Sequence, residues 1–169
     1  AEAMKIHHHI GREFLEESSQ HEAFGLCKTR PRRSKFIRNK SFRIHYGNND
    51  DKSLLFGNIN SRFQSGLRNP LDEAILAHTE LDVSGYSRVD EVPFDFNRRC
   101  VSVIVDKGTD RLLITKGAAE EVLRVSTMCE IGGNALAIDD DLRKRLHAEH
   151  ERLSIGGYRV LAVAYKRVD

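Results

Sequence analysis

A strand that runs straight into a helix is encoded by Leu112-Leu113-Ile114-Thr115-Lys116-Gly117-Ala118-Ala119-Glu120-Glu121-Val122-Leu123. A short run of branched apolar residues ends at Lys116 and Gly117, and a series of strong helix formers follows at once. Such a junction exposes the amides at the start of a helix, and a glycine without a Cβ lets a ligand approach the backbone. The stretch therefore predicts a strand, a tight turn and a helix around a cation, which together form a candidate site for an anionic ligand.

Length and composition indicate one folded domain. A chain of 169 residues with 40% hydrophobic and 31% charged residues is typical of a protein with a single core. No apolar run approaches the roughly 20 residues that a membrane helix needs, and the sequence shows no secretory signal. The three cysteines are odd in number and lack metal-site spacing, which favours a reduced, cytosolic compartment.

Basic residues are concentrated in one segment, from Lys28 to Arg43. This segment holds eight basic residues and no acidic one, so the rest of the chain carries 19 basic against 25 acidic residues and a net charge of −6. Residues 1–52 show little periodicity, apart from one helical turn expected near Glu13 to Glu17. We therefore expect residues 1–52 to be a flexible tail or a long basic loop, and residues 53–169 to form the folded domain.

From Ser53 onward, periodicity and turn residues predict helices and hairpin-linked strands. Helices are expected to begin at the capping residues Ser53, Asn69 and Asp139, and a further helix is expected over 118–128. Strands are expected over 89–96, 100–105, 111–115 and 158–168, with a second hairpin around 131–136. Helices that precede and interrupt hairpin-linked strands predict an α+β fold, an antiparallel β-sheet flanked by helices.

Four motifs occur in an order that a random globular domain would rarely reproduce. They are Asn69-Pro70-Leu71-Asp72-Glu73-Ala74-Ile75-Leu76, Val92-Pro93-Phe94-Asp95-Phe96-Asn97-Arg98-Arg99-Cys100-Val101-Ser102-Val103, Lys116-Gly117-Ala118 and Gly157-Tyr158-Arg159-Val160-Leu161-Ala162. Together they resemble the nucleotide-binding domain of P-type ATPases, the cation pumps, over about residues 53–169. The wording of the first two motifs is most similar to bacterial magnesium-transporting pumps.

The resemblance implies an adenine pocket. Phe94 would stack on the adenine ring, Asp72 would accept a hydrogen bond from the adenine amine, and Lys116 would lie at the mouth of the pocket with Gly117 and Ala118 as its wall. Ordinary structural roles remain open at each position. Phe94 can be a core residue, Asp72 can be an acid favoured by the helix dipole, and Lys116 can be a solvated lysine at a strand end.

The resemblance also implies that two arginines steer the phosphates of the nucleotide. Arg159 matches the arginine of the family's Gly-x-Arg-Val-Leu strand, and Arg99 occupies a position where relatives often carry lysine. A guanidinium group matches phosphate oxygens in geometry and charge. Arg98 is expected to point to the other face of its strand. The alternative for any single arginine is a solubilising role on the surface.

Asp106-Lys107-Gly108-Thr109 resembles at a glance the phosphorylated Asp-Lys-Thr-Gly-Thr motif of these pumps. The glycine and the threonine are transposed, however, and the segment lies between two predicted strands. We interpret it as the turn of a hairpin. The sequence accordingly contains no catalytic residue that we would assign.

The resemblance therefore implies an ATP-binding domain of a larger pump, one that does not turn ATP over alone. ATP would arrive with Mg²⁺ on its phosphates, and no metal site of the chain's own is expected. The implied partners are the phosphorylation, actuator and membrane domains of the same parent chain. The isolated domain is expected to be a monomer, and its parent an integral protein of the bacterial inner membrane with this domain in the cytoplasm.

Two other interpretations stay open. The basic segment contains Phe36 and Phe42 and could contact nucleic acid or an anionic surface, which would make the chain a non-enzymatic α+β interaction module. His147, His150 and Glu151 lie within one helical turn and could bind a metal, although charged helix faces collect such residues by chance.

Overall fold

The structure is a computed structural model. It describes the strands at 23–29 and 43–44 and residues 51–66, 69–78, 80–131 and 134–168. The helical turn expected near Glu13 to Glu17 lies outside these residues, as does most of the basic segment. None of the helices in the described ranges is long and apolar enough to cross a membrane.

Eight strands and four helices make up the described fold. In chain order they are β1 Ala23–Thr29, β2 Arg43–Ile44, α1 Asp51–Phe63, α2 Pro70–Leu76, β3 Ser87–Asp95, β4 Cys100–Lys107, β5 Asp110–Ala118, α3 Ala119–Val125, β6 Met128–Ile131, β7 Asn134–Ala137, α4 Asp140–Ile155 and β8 Arg159–Val168.

Six of the strands form one antiparallel sheet in the order β2-β1-β8-β5-β4-β3. The hairpin β6-β7 forms a separate two-stranded sheet. The prediction of an antiparallel α+β fold is therefore confirmed. The central strands β4, β5 and β8 come from the predicted hairpin and from the apolar segment near the C-terminus.

The sheet is covered on both faces. One cluster packs Phe56 and Ile59 of α1 against alternate residues of the central strands, namely Val103, Val105, Ile114 and Val163. The other joins α3 and α4 to the opposite face, through Val122, Leu123, Leu142, Leu146, Ala162 and Ala164. Alternation along β8 therefore sends Val163 to one core and its two neighbours to the other.

The predicted capping residues mostly begin their helices. The Asn69 side chain accepts hydrogen bonds from the amides of Leu71 and Asp72, and Asp139 accepts one from the amide of Leu142 at 2.7 Å. The prediction for Ser53 is wrong, since α1 already begins at Asp51 and Ser53 lies buried inside the helix. The helix expected to reach residue 128 ends at Val125, because β6 begins at Met128.

The Asp106 turn is a hairpin, as the sequence indicated. Lys107 pairs with Asp110 to close it, and Gly108 takes the left-handed conformation with a φ of 61°. The Asp106 carboxylate accepts hydrogen bonds from the guanidinium of Arg111 at 2.7 and 3.0 Å. These bonds hold the pKa of Asp106 below its usual value, and the carboxylate serves to close the turn.

The first strand was not predicted. β1 pairs with β8 in antiparallel register from Ala23 opposite Tyr165 to Thr29 opposite Arg159. It lies within residues 1–52, which we expected to be a tail or a loop, and that expectation is wrong for the residues of β1 and β2. The boundary at residue 53 otherwise stays a prediction.

Candidate functional site

The antiparallel register collects the predicted site residues at one edge of the large sheet. The β3–β4 turn, the end of β5 and the start of β8 meet there, because Cys100 pairs with Gly117 and Ala118 pairs with Leu161. We call this place the site edge. It carries Phe94, Arg99, Lys116, Gly117, Ala118 and Arg159, although these residues come from distant parts of the sequence.

Lys116 and Asp72 form a buried ion pair beside the site edge. The Lys116 ammonium donates to Asp72 Oδ1 and, at 2.6 Å, to the Ser61 hydroxyl. The Ser61 hydroxyl in turn donates to the same carboxylate oxygen at 3.0 Å. The side chains of Lys116 and Asp72 are only 4% and 1% exposed. Burying a charge is costly unless it is paired and hydrogen-bonded, so these contacts are what make the arrangement possible.

The second oxygen of Asp72 is also engaged. Oδ2 accepts from Gln64 Nε2 at 2.7 Å and from the backbone amide of Asn69 at 3.2 Å. The Asn69 contact closes a capping box at the start of α2, in which Asn69 and Asp72 satisfy each other's amides. The helix-cap role that the sequence left open for Asp72 is therefore real, and it coexists with the Lys116 pair.

The charge state of Asp72 follows from these contacts. Burial by itself would raise its pKa, but the Lys116 ammonium and the hydrogen bonds from Lys116, Gln64 and Asn69 outweigh burial and lower the pKa. Asp72 is therefore ionised at neutral pH. An ionised carboxylate next to the site edge is a strong acceptor for a ligand N–H group.

Ser61 and Gln64 were missed by the sequence analysis. Asn60 places them, since its side-chain amide donates to the backbone oxygens of Val101 at 3.2 Å and Ile114 at 2.8 Å and so ties α1 to β4 and β5. A helical spacing of three puts Ser61 and Gln64 on one side of the helix end. That spacing, in a polar run beside the apolar Ile59, is the signal that could have found them.

The β3–β4 turn displays two aromatic rings. Phe94 and Phe96 are 54% and 88% exposed, so neither is a core residue. Their rings meet edge to face, with centroids 5.3 Å apart and an interplanar angle of 88°. The edge-to-face contact holds the two rings against each other while both stay exposed. An exposed aromatic ring held in this way is suited to stacking on a planar ligand.

Asp95 and Arg98 brace this turn. The Asp95 carboxylate accepts from the backbone amide of Asn97 at 2.6 Å, which is the main reason that the pKa of Asp95 is lowered. The Arg98 guanidinium donates to the Pro93 carbonyl at 2.8 Å and approaches the Asp95 carboxylate at 3.6 Å. Arg98 thus folds back on the turn that carries the two rings.

Close packing against Arg99 and Cys100 explains why position 117 holds a glycine. A Cβ at this position would lie 2.4 Å from the Arg99 carbonyl oxygen and 2.5 Å from Cys100 Cβ. The amide of Ala118 donates to the same carbonyl at 3.0 Å. The sequence led us to expect that Gly117 leaves room for a ligand, but Arg99 and Cys100 occupy that space. The amide of Ala118 is not available to an anion either, because it already donates to the Arg99 carbonyl.

The two arginines assigned to the phosphates are both exposed at the site edge. Arg99 adopts a left-handed backbone conformation with a φ of 51°, and its guanidinium lies 3.6 Å from the Glu120 carboxylate. Arg159 is the first residue of β8, two positions before Leu161, the partner of Ala118. Both guanidinium groups are therefore carried by the same edge of the sheet as the rings.

The metal interpretation of α4 gains no support from the geometry. His150 Nδ1 lies 4.0 Å from the Glu120 carboxylate. Within the described residues, no three His, Cys, Asp or Glu side chains are grouped so that they could hold a metal ion.

Comparison with known proteins gives a consistent family. A profile of the family described as P-type ATPase, cytoplasmic domain N, matches residues 45–169. The chain is 35% identical over 126 residues to "Magnesium-transporting ATPase, P-type 1" of Escherichia coli, an alignment that covers 71% of this chain and 14% of that protein. The protein of the same name from Salmonella typhimurium is 38% identical over 130 residues, covering 73% and 14%.

More distant relatives carry other names. "Calcium-transporting ATPase 1" of Lactococcus lactis is 28% identical over 128 residues, which cover 69% of this chain and 14% of that protein. The chain thus spans about one seventh of the length of these curated relatives.

Proposed function

The chain belongs to the P-type ATPase cytoplasmic domain N family, and from this premise we propose that it is the ATP-binding domain of a magnesium-transporting pump. The observation that carries the proposal is the site edge itself. It combines an exposed pair of aromatic rings with two exposed guanidinium groups, and the ionised carboxylate of Asp72 lies beside it. This combination suits a planar base that carries an amine donor and a polyphosphate.

Each group has a chemical role in the proposal. Phe94 stacks on the adenine ring, a contact worth about 1–3 kcal/mol by analogy with other aromatic–base stacks. Asp72 accepts a hydrogen bond from the adenine amine, and Lys116 holds Asp72 ionised and in place. Arg99 and Arg159 attract and orient the phosphates. Gly117 and Ala118 contribute main chain to the wall of the pocket.

Mg²⁺ enters this proposal bound to the nucleotide. The ion prefers octahedral oxygen ligands and keeps several waters, so the phosphate oxygens are its natural ligands in an ATP complex. The charged side chains that the site edge itself carries are those of Arg99, Lys116 and Arg159, and the oxygens of the adjacent Asp72 already accept hydrogen bonds. They suit the phosphates and the base, and the ion remains on the phosphate side.

The wider role of the domain follows from the family. P-type pumps transfer the γ-phosphate to an aspartate of a phosphorylation domain, and this chain would deliver the nucleotide to such a domain of the same parent chain. Magnesium as the transported ion rests on the names of the relatives at 35–38% identity. The parent would be an integral protein of the bacterial inner membrane, with this domain in the cytoplasm.

A nucleotide titration followed by amide NMR tests the binding proposal. ATP is expected to shift the amides of Phe94, Lys116, Gly117 and Arg159, and Phe94→Ala is expected to abolish these shifts. Leu136→Ala is the matched control, because Leu136 is also about half exposed but lies on the separate β6-β7 sheet. If ATP shifts nothing at the site edge while an oligonucleotide shifts residues 28–43, the chain is the basic interaction module instead.

A further inference from the structure

The carboxylate of Asp72 is saturated before any ligand arrives. Four donors from the described residues point at it, and three of them are held by the fold. Lys116 and Ser61 are buried, and the amide of Asn69 belongs to the cap of α2. Gln64 is the fourth donor, 2.7 Å from Oδ2.

Gln64 differs from the other three in its freedom to move. It is partly exposed and follows the last residue of α1. Its backbone is anchored, because its amide donates to the Asn60 carbonyl at 3.1 Å and the next residue, Ser65, donates twice to the Glu91 carboxylate at 2.5 and 2.7 Å. Rotation of the Gln64 side chain alone would therefore uncover Oδ2 without disturbing the chain on either side.

We propose that Gln64 limits the selectivity of the site for adenine, because its amide occupies on Asp72 Oδ2 the place that the exocyclic amine of adenine takes in the complex. The inference rests on the proposed function. Both groups are N–H donors to the same carboxylate oxygen, so binding exchanges one hydrogen bond for another of the same kind. The amine of the base then contributes little net affinity in the native protein, because the Gln64 bond is lost when the amine bond forms.

The consequence is a specific pattern of discrimination between nucleotides. Purine riboside 5′-triphosphate has the purine ring and the phosphates of ATP but lacks the amine. In the native protein it leaves Gln64 in place and is expected to bind almost as tightly as ATP. Removal of the Gln64 donor frees Oδ2 for the amine, so ATP alone should gain affinity.

Calorimetric titration of three proteins with ATP and with purine riboside 5′-triphosphate tests this proposal. The measured quantity is the dissociation constant of purine riboside 5′-triphosphate divided by that of ATP. Effects on the phosphates, which both nucleotides share, cancel in this ratio. Gln64→Ala is expected to increase the preference for ATP about three- to tenfold, the range that corresponds to one recovered hydrogen bond. Gln64→Lys keeps a donor on Oδ2 and is expected to leave the ratio close to its native value of about one.

Two further variants serve as a second test and as a control. Gln64→Met fills the same space without a donor and should also raise the preference for ATP, which keeps the test valid if Gln64→Ala does not fold. Arg62→Ala changes an exposed residue in the last turn of α1 and should leave the ratio unchanged. An unchanged ratio in both Gln64→Ala and Gln64→Met, with ATP still bound, overturns this inference alone. Failure of the native protein to bind either nucleotide overturns the proposed function together with it.

Discussion

Asp72 both caps a helix and neutralises a buried lysine. As the third residue of α2 it completes the cap with Asn69, and as the partner of Lys116 it balances a cation buried in the sheet. The cap fixes the backbone of Asp72, and Lys116 fixes the direction of its carboxylate. The result is a carboxylate that is held in one direction and ionised without any ligand, which is the preorganisation that the proposed nucleotide site needs.

The ionisation of Asp72 gives a pH dependence with a definite sign. Its pKa is lowered in the folded state from a usual value of 3.8, so the folded state binds a proton less readily than the unfolded chain. The stabilisation is therefore complete above the usual value and is lost as the pH falls through the lowered folded pKa. We expect Asp72→Asn to reduce the free energy of unfolding by about 3 kcal/mol near neutral pH, with a difference that shrinks on acidification below the usual value of 3.8.

Urea unfolding of the native protein and of Asp72→Asn, measured over a series of pH values, checks this expectation. Asp141→Asn is the control, since Asp141 is 87% exposed and makes only a surface contact of 3.6 Å with Lys144. Two parallel curves that stay equally far apart down to pH 2 would show that the charge of Asp72 does not stabilise the fold.

At the residue scale, the sequence was enough to select Asp72 and Lys116 as site residues but not to predict which side chains they contact. Motif wording selected Asp72 and Lys116, and both lie at the same place in the fold. Their direct ion pair spans 44 positions of sequence, and no local pattern announces a pairing at such a distance. Ser61 and Gln64 were missed because polar residues at a helix end usually face solvent, and their spacing of three indicates a shared side of the helix without identifying the buried carboxylate that they contact.

Among the elements, the close approach of β4 and β5 shapes the site edge. The left-handed Arg99 brings its carbonyl and the following Cys100 against Gly117, and the same carbonyl accepts the amide of Ala118. The turn that displays the aromatic rings is thereby locked to the strand that carries Lys116. The strands β3, β4, β5 and β8 and the two hairpins could be predicted from periodicity and turn residues. This contact could not, because it depends on a backbone conformation that a non-glycine residue rarely adopts.

Gly117→Ala is expected to loosen this contact. The added Cβ would lie 2.4 Å from the Arg99 carbonyl oxygen, a distance that forces the strands to shift. Overpacking of this kind costs about 1–3 kcal/mol, and here it should also weaken ATP binding because it moves the Phe94 turn relative to Lys116. Thermal unfolding and the ATP titration measure the two effects.

Gly85→Ala provides the matched control for this substitution. No atom lies within 4 Å of the Cβ that it would add, so a change within about 0.5 kcal/mol is expected. Equal effects of the two substitutions would mean that the approach of Arg99 to Gly117 does not constrain the site edge.

At the scale of the whole molecule, the two faces of the large sheet differ in the helices that pack on them and in the residues that they carry. The α1 face carries the ion pair of Lys116 and Asp72, while α3 and α4 pack on the other face and support the strands from behind. The α+β class followed from the order of helices and hairpins. The place of β1 beside β8 did not, because a strand with a basic continuation has the composition of a tail and its partner residues lie 130 or more positions away.

The division of labour in the proposed pump leads to the last prediction, which is that the purified chain binds ATP without hydrolysing it. Phosphoryl transfer needs an acceptor in line with the γ-phosphate and a metal that neutralises the developing charge. In the proposed complex the groups at the site edge hold the base and attract the phosphates, and Asp72 is buried and accepts hydrogen bonds from four donors. Phosphate release in the presence of ATP and Mg²⁺ should therefore stay at the level of the buffer.

Phe94→Ala separates a contaminant from true turnover, because a contaminating ATPase is indifferent to that substitution. Release that disappears with Phe94→Ala would mean that the domain carries its own catalytic apparatus.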